Sequence, residues 1–262
     1  MLDAQALDHA VAALLAARRD RRALDRLPAA GAPASIADAY LIQEAFARAC
    51  GAALRGYKVG AASVQSQRFV GVSEPFAGHI YADTCFDAPA LVPAARFFSI
   101  GVEAEFTFRL GRDLPSRDTS YTRAEVTDAV AAVIPSIEIC DTRLADWKAA
   151  GVAQMVADNG FHGGMVLADA VTDWHGLDLA AHEVTLLVDG VLRGRGAGRL
   201  VLGHPLDSLA WLATDLSRRG RSLKVGDIVA AGTCTGLHIV HAPAEVLADF
   251  GALGTVRMTV VA

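Results

Sequence analysis

Cysteine is scarce in this 262-residue sequence, and its four copies are widely spaced, at Cys50, Cys85, Cys140 and Cys234. No two of them form a C-x-x-C pair, which argues against a disulfide framework and against a zinc site. This cysteine usage is typical of a reduced, cytoplasmic protein.

Long apolar runs and blocks of like charge are also missing. The longest apolar stretches, such as residues 129–137, are far shorter than the ~20 residues that a membrane-spanning helix needs. The chain starts without a basic segment followed by an apolar one, so we expect neither a signal peptide nor a membrane partner. The formal net charge of −5, without a run of one sign, argues against nucleic acid as a partner.

What the sequence does contain is enough apolar material for a large core. Hydrophobic residues make up 53% of the chain, and a chain of this length typically buries roughly 70–75% of the surface that it exposes when unfolded. The periodicity predicts two amphipathic helices before Leu54, the second capped by Ser35 and ended by Gly51. Short strand patterns dominate from Leu54 onward.

Local patterns predict several later elements. Asp189-Gly190, between two alternating segments, predicts a hairpin with a type I′ turn. The capping box formed by Thr122 and Glu125 predicts a helix over the alanine-rich segment that leads toward Glu138. Two helices followed mainly by strands favour an α+β fold with a mixed sheet over a regular βαβ array.

Two glutamates alternate with apolar residues in Val102-Glu103-Ala104-Glu105-Phe106. A period of two predicts a β-strand that places Glu103 and Glu105 on one face, about 7 Å apart at ~3.4 Å per residue. Adjacent carboxylates repel each other and are rarely kept in a protected place without a cation. Glu138, in a similar apolar segment, would complete three oxygen ligands suited to Mg²⁺ or Mn²⁺. The same spacing also occurs on solvated strand faces, so spacing alone leaves both interpretations open.

Lys58 lies between apolar neighbours and two glycines. Desolvation in such a place lowers the pKa of a lysine or directs its charge at a substrate oxygen. A surface lysine is the commoner alternative.

The segment Gly232-Thr233-Cys234-Thr235-Gly236 matches the pattern G-x-C-x-G. A nucleophile elbow at Cys234 needs a helix directly after the turn, whereas residues 237–241 are predicted to be extended and Pro243 interrupts any helix. We therefore interpret the segment as a loop that offers hydroxyl and backbone N–H groups to an anion.

Together these segments resemble the 2-keto-4-pentenoate hydratase family. That family belongs to the fumarylacetoacetate hydrolase superfamily, as do 2-oxohepta-3-ene-1,7-dioate hydratase and 4-oxalocrotonate decarboxylase. The likeness covers nearly the whole chain. It implies an α+β fold, a mixed β-sheet roll that forms a single catalytic unit over residues 1–262, with an N-terminal helical segment (1–53) and a β-rich catalytic core (54–262). The segments that carry the resemblance are Gly56-Tyr57-Lys58-Val59-Gly60, Ser73-Glu74-Pro75, Val102-Glu103-Ala104-Glu105-Phe106, Val133-Ile134-Pro135-Ser136-Ile137-Glu138-Ile139, Ala157-Asp158-Asn159 and Gly232-Thr233-Cys234-Thr235.

The resemblance also implies a role for individual residues. These are Glu103, Glu105 and Glu138 as ligands of Mg²⁺ or Mn²⁺, Lys58 as a catalytic residue, and Thr233 and Thr235 as substrate-binding residues. The chain departs from the family at two places, because members often carry an acidic residue near Phe76 and Asp-Met where this chain has Asp83-Thr84. We predict Asp83 as the acid–base partner and Asp158 as a residue that orients a ligand or a loop.

The activity implied by the resemblance is metal-dependent addition of water to a 2-hydroxy-2,4-dienoate or 2-oxo-3-enoate, which gives a 4-hydroxy-2-oxo acid. The same enolate intermediate serves decarboxylation of a 2-oxo-3-enedioate, as in 4-oxalocrotonate, or hydrolysis of an acylpyruvate, so the shared ligands leave these alternatives open. A non-catalytic homologue that binds a keto acid or an active paralogue is a third alternative, against which the retained lysine and glutamates argue. The family further implies a homo-oligomer, and related hydratases associate with a paralogous decarboxylase.

Overall fold

The computed structural model describes residues 2–262, and it confirms the two N-terminal helices. Helix α1 (Ala4–Asp20) is capped by the carboxylate of Asp3. Helix α2 (Ile36–Cys50) is capped by the hydroxyl of Ser35 and ends at Gly51, whose φ of 67° is left-handed, a conformation that glycine adopts without steric cost.

The later helices lie between strands, and only the last of them is long. They are α3 (Val64–Val70), α4 (Arg123–Thr127), α5 (Trp147–Ala150), α6 (Val152–Ala157) and α7 (Pro205–Arg218). Within residues 2–262, no helix combines the length and the apolar character needed to cross a membrane.

The strands form two sheets. They are β1 (Leu54–Gly60), β2 (Phe76–Tyr81), β3 (Cys85–Asp87), β4 (Ala90–Pro93), β5 (Gly101–Leu110), β6 (Val130–Cys140), β7 (His162–Leu167), β8 (Glu183–Val188), β9 (Val191–Ala197), β10 (Ile228–Thr233), β11 (His238–Ile239), β12 (Ala244–Asp249) and β13 (Thr255–Val261). The eight-stranded sheet has the order β2-β1-β10-β5-β6-β7-β3, with β11 also paired to β5, and the five-stranded sheet has the order β4-β13-β12-β8-β9. Pairing is mixed, since β1 runs parallel to β10 whereas β5 is antiparallel to β6. The predicted α+β class is confirmed.

The apolar core lies where strand β5 meets the smaller sheet. Ala104, Phe106 and Phe108 alternate along β5 and are fully buried. The ring of Phe106 meets that of Phe250, which directly follows β12, edge to face at 5.3 Å. Because this face of β5 is closed by the core, the residues between these three point to the opposite face of the strand.

One local prediction is wrong. The capping box at Thr122 and Glu125 is present, but helix α4 ends at Thr127, and the alanine-rich segment that follows is the start of strand β6. Valine and isoleucine flank the alanines there, and pairing with strand β5 provides the backbone of this segment with hydrogen-bond partners. The predicted hairpin is confirmed, with positive φ at Asp189 and Gly190 between β8 and β9.

Candidate active site

The centre of the larger sheet brings two of the predicted glutamates together. In the register of β5 and β6, Glu103 lies directly opposite Glu138, and Glu105 lies opposite Ser136. Glu138 and Glu105 are buried, whereas Glu103 is partly exposed. Side chains directly opposite each other on one face of an antiparallel pair are close neighbours, so the register itself creates a site of negative charge.

The two carboxylate oxygens of Glu138 have different environments. The ammonium of Lys58 lies 3.5 Å from Oε1 of Glu138, and Nδ1 of His162 lies 2.8 Å from the same atom. The other oxygen, Oε2, is buried and has no hydrogen-bond partner within the described chain. Buried carboxylate oxygens are normally satisfied, so Oε2 is available to a ligand.

The ionisation of each carboxylate in this cluster depends on its burial and on the charges of its neighbours. Burial and the charge of Glu138 raise the pKa of Glu103 to about 7, and burial together with Glu138 and Glu103 raises the pKa of Glu105 well above its ordinary value. Burial also disfavours ionised Glu138, but Lys58 and His162 outweigh it and lower its pKa. Glu138 is therefore the member that is most readily ionised, and the others repel it.

Lys58 is the cation that balances this charge. Of the two alternatives for this lysine, a lowered pKa is not found: burial lowers the pKa of Lys58, but the attraction of Glu138 and the other acidic groups outweighs burial and raises it. Burial lowers the pKa of His162, so its imidazole is neutral at pH 7. A neutral imidazole that contacts an ionised carboxylate through Nδ1 carries its proton on that atom, and His162 therefore donates to Glu138.

Glu105 is held apart from the other carboxylates. Its Oε2 accepts a hydrogen bond of 2.9 Å from the backbone N–H of Gly232. Among the described residues, the group whose ligand atoms all lie within 4.8 Å of one another consists of Glu103, Glu138 and Cys140. The third ligand atom beside Glu103 and Glu138 is therefore the sulfur of Cys140, where the sequence analysis expected a carboxylate oxygen of Glu105.

The loop after β10 approaches the same site. The hydroxyl of Thr233 accepts hydrogen bonds from the N–H groups of Thr235 and Gly236, at 3.3 and 2.9 Å. The hydroxyl of Thr235 accepts one of 3.2 Å from the N–H of Ala104 in β5. The loop is followed by strand β11 and not by a helix. The prediction that Cys234 does not occupy a nucleophile elbow is therefore confirmed.

A cavity of about 950 Å³ opens onto these groups. Lys58, Glu103 and Cys140 lie at its polar end, with the two threonines of the loop beside them. The rest of the wall is largely apolar; it includes Val64 and Phe69 of helix α3, Phe76 of strand β2, Phe161 before β7 and Leu237 before β11. Two arginines, Arg195 and Arg199, also line the cavity. This combination of an apolar cavity with a few converging polar groups is typical of a small-molecule site.

Asp83 is not part of this arrangement. Its side chain is exposed, and it lines a separate cavity of about 150 Å³ together with several arginines. The structure does not bring it to the carboxylate cluster, because Asp83 lies in the turn after β2, beyond the buried end of that strand.

Phe76 occupies the position where family members often carry an acid. Its ring lies 5.5 Å from the ammonium of Lys58. Gly60 and Gly160 make room for the ring, since a Cβ atom would lie 2.2 Å from the ring at Gly60 and 2.6 Å at Gly160. An aromatic face instead of a carboxylate therefore covers this side of the lysine, and a cation over such a face is attracted to it.

Asp158 has a structural contact that agrees with its predicted orienting role. Its carboxylate accepts hydrogen bonds from the backbone N–H of Arg143, the guanidinium of Arg143 and the hydroxyl of Thr142. These bonds fix the loop that directly follows β6. Neither His162 nor Cys140 was predicted from the sequence. Only the pairing of β6 with β7 brings His162 to Glu138, whereas Cys140 shares the face of Glu138 by alternation along β6, a local signal that could have found it.

The residues present fit a divalent cation. Two carboxylates, those of Glu103 and Glu138, converge with Glu105 next along β5; one buried oxygen of Glu138 lacks a partner in the described chain, and Lys58 is the ammonium that faces it. Hard divalent cations are typically bound by such oxygen donors, and a bound cation would relieve the repulsion that raises the pKa of Glu103 and Glu105.

Comparison with known proteins identifies the protein family to which the chain belongs. The family described as fumarylacetoacetate (FAA) hydrolase C-terminal matches residues 59–261. The chain therefore belongs to the fumarylacetoacetate hydrolase family. Its structure is similar to that of 4-oxalocrotonate decarboxylase from Pseudomonas putida G7 complexed with magnesium and adipate, with a TM-score of 0.90 over 98% of this chain and 97% of that one, at 24% identity.

The sequence is also similar to those of several curated hydratases. A 2-keto-4-pentenoate hydratase of Paraburkholderia xenovorans (strain LB400) is 35% identical over 227 residues, which cover 85% of this chain and 83% of the relative. The 2-keto-4-pentenoate hydratase 1 of Dechloromonas aromatica (strain RCB) is 37% identical and covers 85% of each chain. A 2-hydroxyhexa-2,4-dienoate hydratase of Comamonas testosteroni is 32% identical and covers 90% of each chain.

Proposed function

We propose that this chain is a hydro-lyase that adds water to 2-hydroxy-2,4-dienoates, through the tautomeric 2-oxo-3-enoates, and forms 4-hydroxy-2-oxo acids. The observation that carries the proposal is the buried cluster of Glu103, Glu138 and Lys58 at the polar end of a largely apolar cavity. The hydratase names of relatives that share 32–37% of their residues with this chain support the reaction and the substrate class.

We assign a divalent cation, Mg²⁺ or Mn²⁺, to the carboxylates of Glu103, Glu105 and Glu138. When bound, the cation acts as a Lewis acid toward the oxygens of a 2-oxo acid and stabilises negative charge on the C2 oxygen. Solved structures of related fold support a divalent ion, since one is described with magnesium and another, fumarylpyruvate hydrolase from Pseudomonas aeruginosa, with Mn²⁺ and pyruvate.

Lys58 has the clearest catalytic role. Its ammonium is buried and held beside Glu138, and it lines the cavity, so it can donate a hydrogen bond to a substrate oxygen without first losing a large shell of water. Donation to the C2 oxygen stabilises the negative charge that develops there when water adds at C4. A well-placed proton donor of this kind typically contributes ~10²–10⁴-fold in rate.

Thr233 is suited to hold the substrate carboxylate. Its oxygen already accepts two backbone N–H groups and Thr233 lines the cavity, so its own O–H group is free to donate to a ligand there. Thr235 is fixed by the N–H of Ala104 in the same way. Two hydroxyls held by the backbone can bind a carboxylate without a large loss of side-chain entropy.

The test is an assay of the purified protein with Mg²⁺ or Mn²⁺ that follows the absorbance of 2-hydroxypenta-2,4-dienoate and identifies the product by NMR. We expect metal-dependent formation of 4-hydroxy-2-oxopentanoate, and its loss in Lys58→Met and Glu138→Gln. Glu245→Gln serves as the matched control, since Glu245 is exposed on strand β12. Ketonisation without hydration would contradict the proposal, and turnover of a 2-oxo-3-enedioate or of an acylpyruvate instead would assign the decarboxylase or the hydrolase activity.

A further inference from the structure

The thiol of Cys140 belongs to the same group of ligand atoms as the carboxylates of Glu103 and Glu138, all within 4.8 Å of one another. Glu138 and Cys140 are two residues apart on strand β6 and therefore lie on one face of it. Neither the motifs nor the resemblance assigns any role to this cysteine.

The residue opposite Cys140 on strand β5 is Gly101, so no side chain from that strand covers the thiol. The side chain of Leu237 fills the space at Gly101, where a Cβ atom would lie 2.5 Å from its Cδ1, and Leu237 also lines the cavity. Cys140 is buried among protein atoms but contributes to the wall of the large cavity, as Lys58 and Glu103 do. A small molecule or ion in the cavity can therefore reach the sulfur.

Glu105 is less well placed to be the third donor. One of its oxygens is already bound to the N–H of Gly232 at 2.9 Å, and its carboxylate is outside the compact group. An ion that sits between Glu103 and Glu138 therefore meets sulfur as its third protein donor before it meets a third carboxylate.

We propose that Cys140 is the third protein ligand for a thiophilic divalent ion, such as Co²⁺, Zn²⁺ or Cd²⁺, held at the site of Glu103 and Glu138, so that this centre binds such an ion through two carboxylates and one sulfur. The inference rests on the cation site of the proposed function. Thiolate ligands select soft and borderline ions, whereas Mg²⁺ prefers oxygen donors alone. When the ion binds, the S–H bond of Cys140 breaks, a sulfur–metal bond forms and the proton passes to the solvent.

The chemistry has a consequence for the activity. Mg²⁺ is bound by the carboxylates alone and does not need the sulfur. A thiophilic ion at the same place forms an additional bond to sulfur and therefore displaces Mg²⁺. Zn²⁺ or Cd²⁺ at low concentration is therefore expected to compete with Mg²⁺ for the site. Removal of the sulfur is expected to relieve this competition and to leave binding of Mg²⁺ little changed.

The experiment uses the full chain, stripped of metal with a chelator and titrated with Co²⁺ or Cd²⁺. Thiolate ligation gives a sulfur-to-metal charge-transfer band in the ultraviolet, which carboxylate ligation does not give. We expect the band in the native protein and its loss in Cys140→Ser and Cys140→Ala. Affinity for Cd²⁺ should fall about tenfold or more, since loss of residues that merely orient metal ligands already costs ~10–100-fold.

The matched control is Cys50→Ala, because Cys50 is half-buried at the end of helix α2, where its thiol contacts a backbone carbonyl. We expect this variant to keep the band and the affinity. Calorimetric binding of Co²⁺ without the band, or a band that persists in Cys140→Ala, would overturn the inference. Failure of the proposed function is separate, because it would appear as absent hydration with Mg²⁺ and Mn²⁺ while the band is present.

Discussion

Replacement of Lys58 by methionine removes the ammonium that faces Glu138 while keeping a side chain of similar length. The pair is 3.5 Å apart and nearly inaccessible to solvent, so at an effective dielectric constant of ~20 its attraction amounts to about 5 kcal/mol. Removal of one partner of a buried ion pair typically costs ~3–5 kcal/mol, because the remaining charge is left uncompensated. We expect the metal-free variant to lose about this much free energy of unfolding.

A divalent cation should reverse much of this loss. A ligand that binds only the folded protein stabilises it by about 2.7 kcal/mol at 100 times its dissociation constant. In Lys58→Met the cation also replaces the missing positive charge, so the stabilisation by Mg²⁺ or Mn²⁺ should exceed that of the native protein. Activity should not return with it, because the proton donor is absent.

The measurement is urea denaturation of both proteins, with a chelator and with saturating Mn²⁺. Lys224→Met is the control, because Lys224 forms an exposed pair with Asp113 at 2.9 Å, and exposed pairs contribute only ~0–1 kcal/mol. A metal-free Lys58→Met that is as stable as the native protein, or that gains no more from Mn²⁺, would refute the account of the charge balance.

Three further predictions concern the carboxylates, the imidazole and the core. In the metal-free protein, burial and the charge of Glu138 raise the pKa of Glu103 to about 7 and that of Glu105 well above its ordinary value. Their contribution to stability is therefore complete below about pH 4.5; that of Glu103 is lost as the pH rises through 7, and that of Glu105 is lost as the pH rises through its own raised pKa. Stabilisation by Mn²⁺ in thermal unfolding should therefore be larger at pH 8 than at pH 5.5, and an equal shift at both would contradict this linkage. His162→Phe should bind Mn²⁺ about 10–100-fold more weakly in calorimetry, because Oε1 of Glu138 loses its hydrogen bond from His162 and keeps only the longer contact with Lys58, and His162→Asn, which keeps an N–H group, should recover part of the affinity. Phe106→Ala should lower the free energy of unfolding by ~3–5 kcal/mol, as measured by denaturation with urea, and a loss below 1 kcal/mol would be inconsistent with its complete burial.

The period of two in strand β5 was enough to predict that Glu103 and Glu105 share a face, and the Asp189-Gly190 turn was enough to predict its hairpin. Both signals are local, since side-chain alternation and positive φ depend on neighbouring residues only. Cys140 was accessible in the same way, because it lies two residues beyond Glu138 on strand β6, although no motif pointed to it. His162 was not, because it reaches Glu138 through the pairing of β6 with β7, and the register of strands that are distant in sequence is set by the whole core.

The place of Asp83 shows a second limit of local signals. Asp83 became a candidate because it aligns with the aspartate of the family's Asp-Met segment, but the turn after β2 carries its side chain to the surface. Conversely, Phe76 lies in the site without any charge of its own, because two glycines make room for its ring. A motif identifies the segment that enters a site, whereas packing decides which of its residues faces the chemistry.

The parallel pairing of β1 with β10 has a consequence for how the site forms. Gly56 pairs with Ile228, so Lys58 and the loop around Thr233 come from nearly opposite ends of the chain and meet only when the centre of the sheet is complete. Contacts of this kind form slowly, since the long intervening segment must first be ordered. During synthesis, the emerging chain can expose its acidic strands well before the strand that closes the sheet leaves the ribosome, and high-affinity capture of a metal ion would thus report that folding has finished.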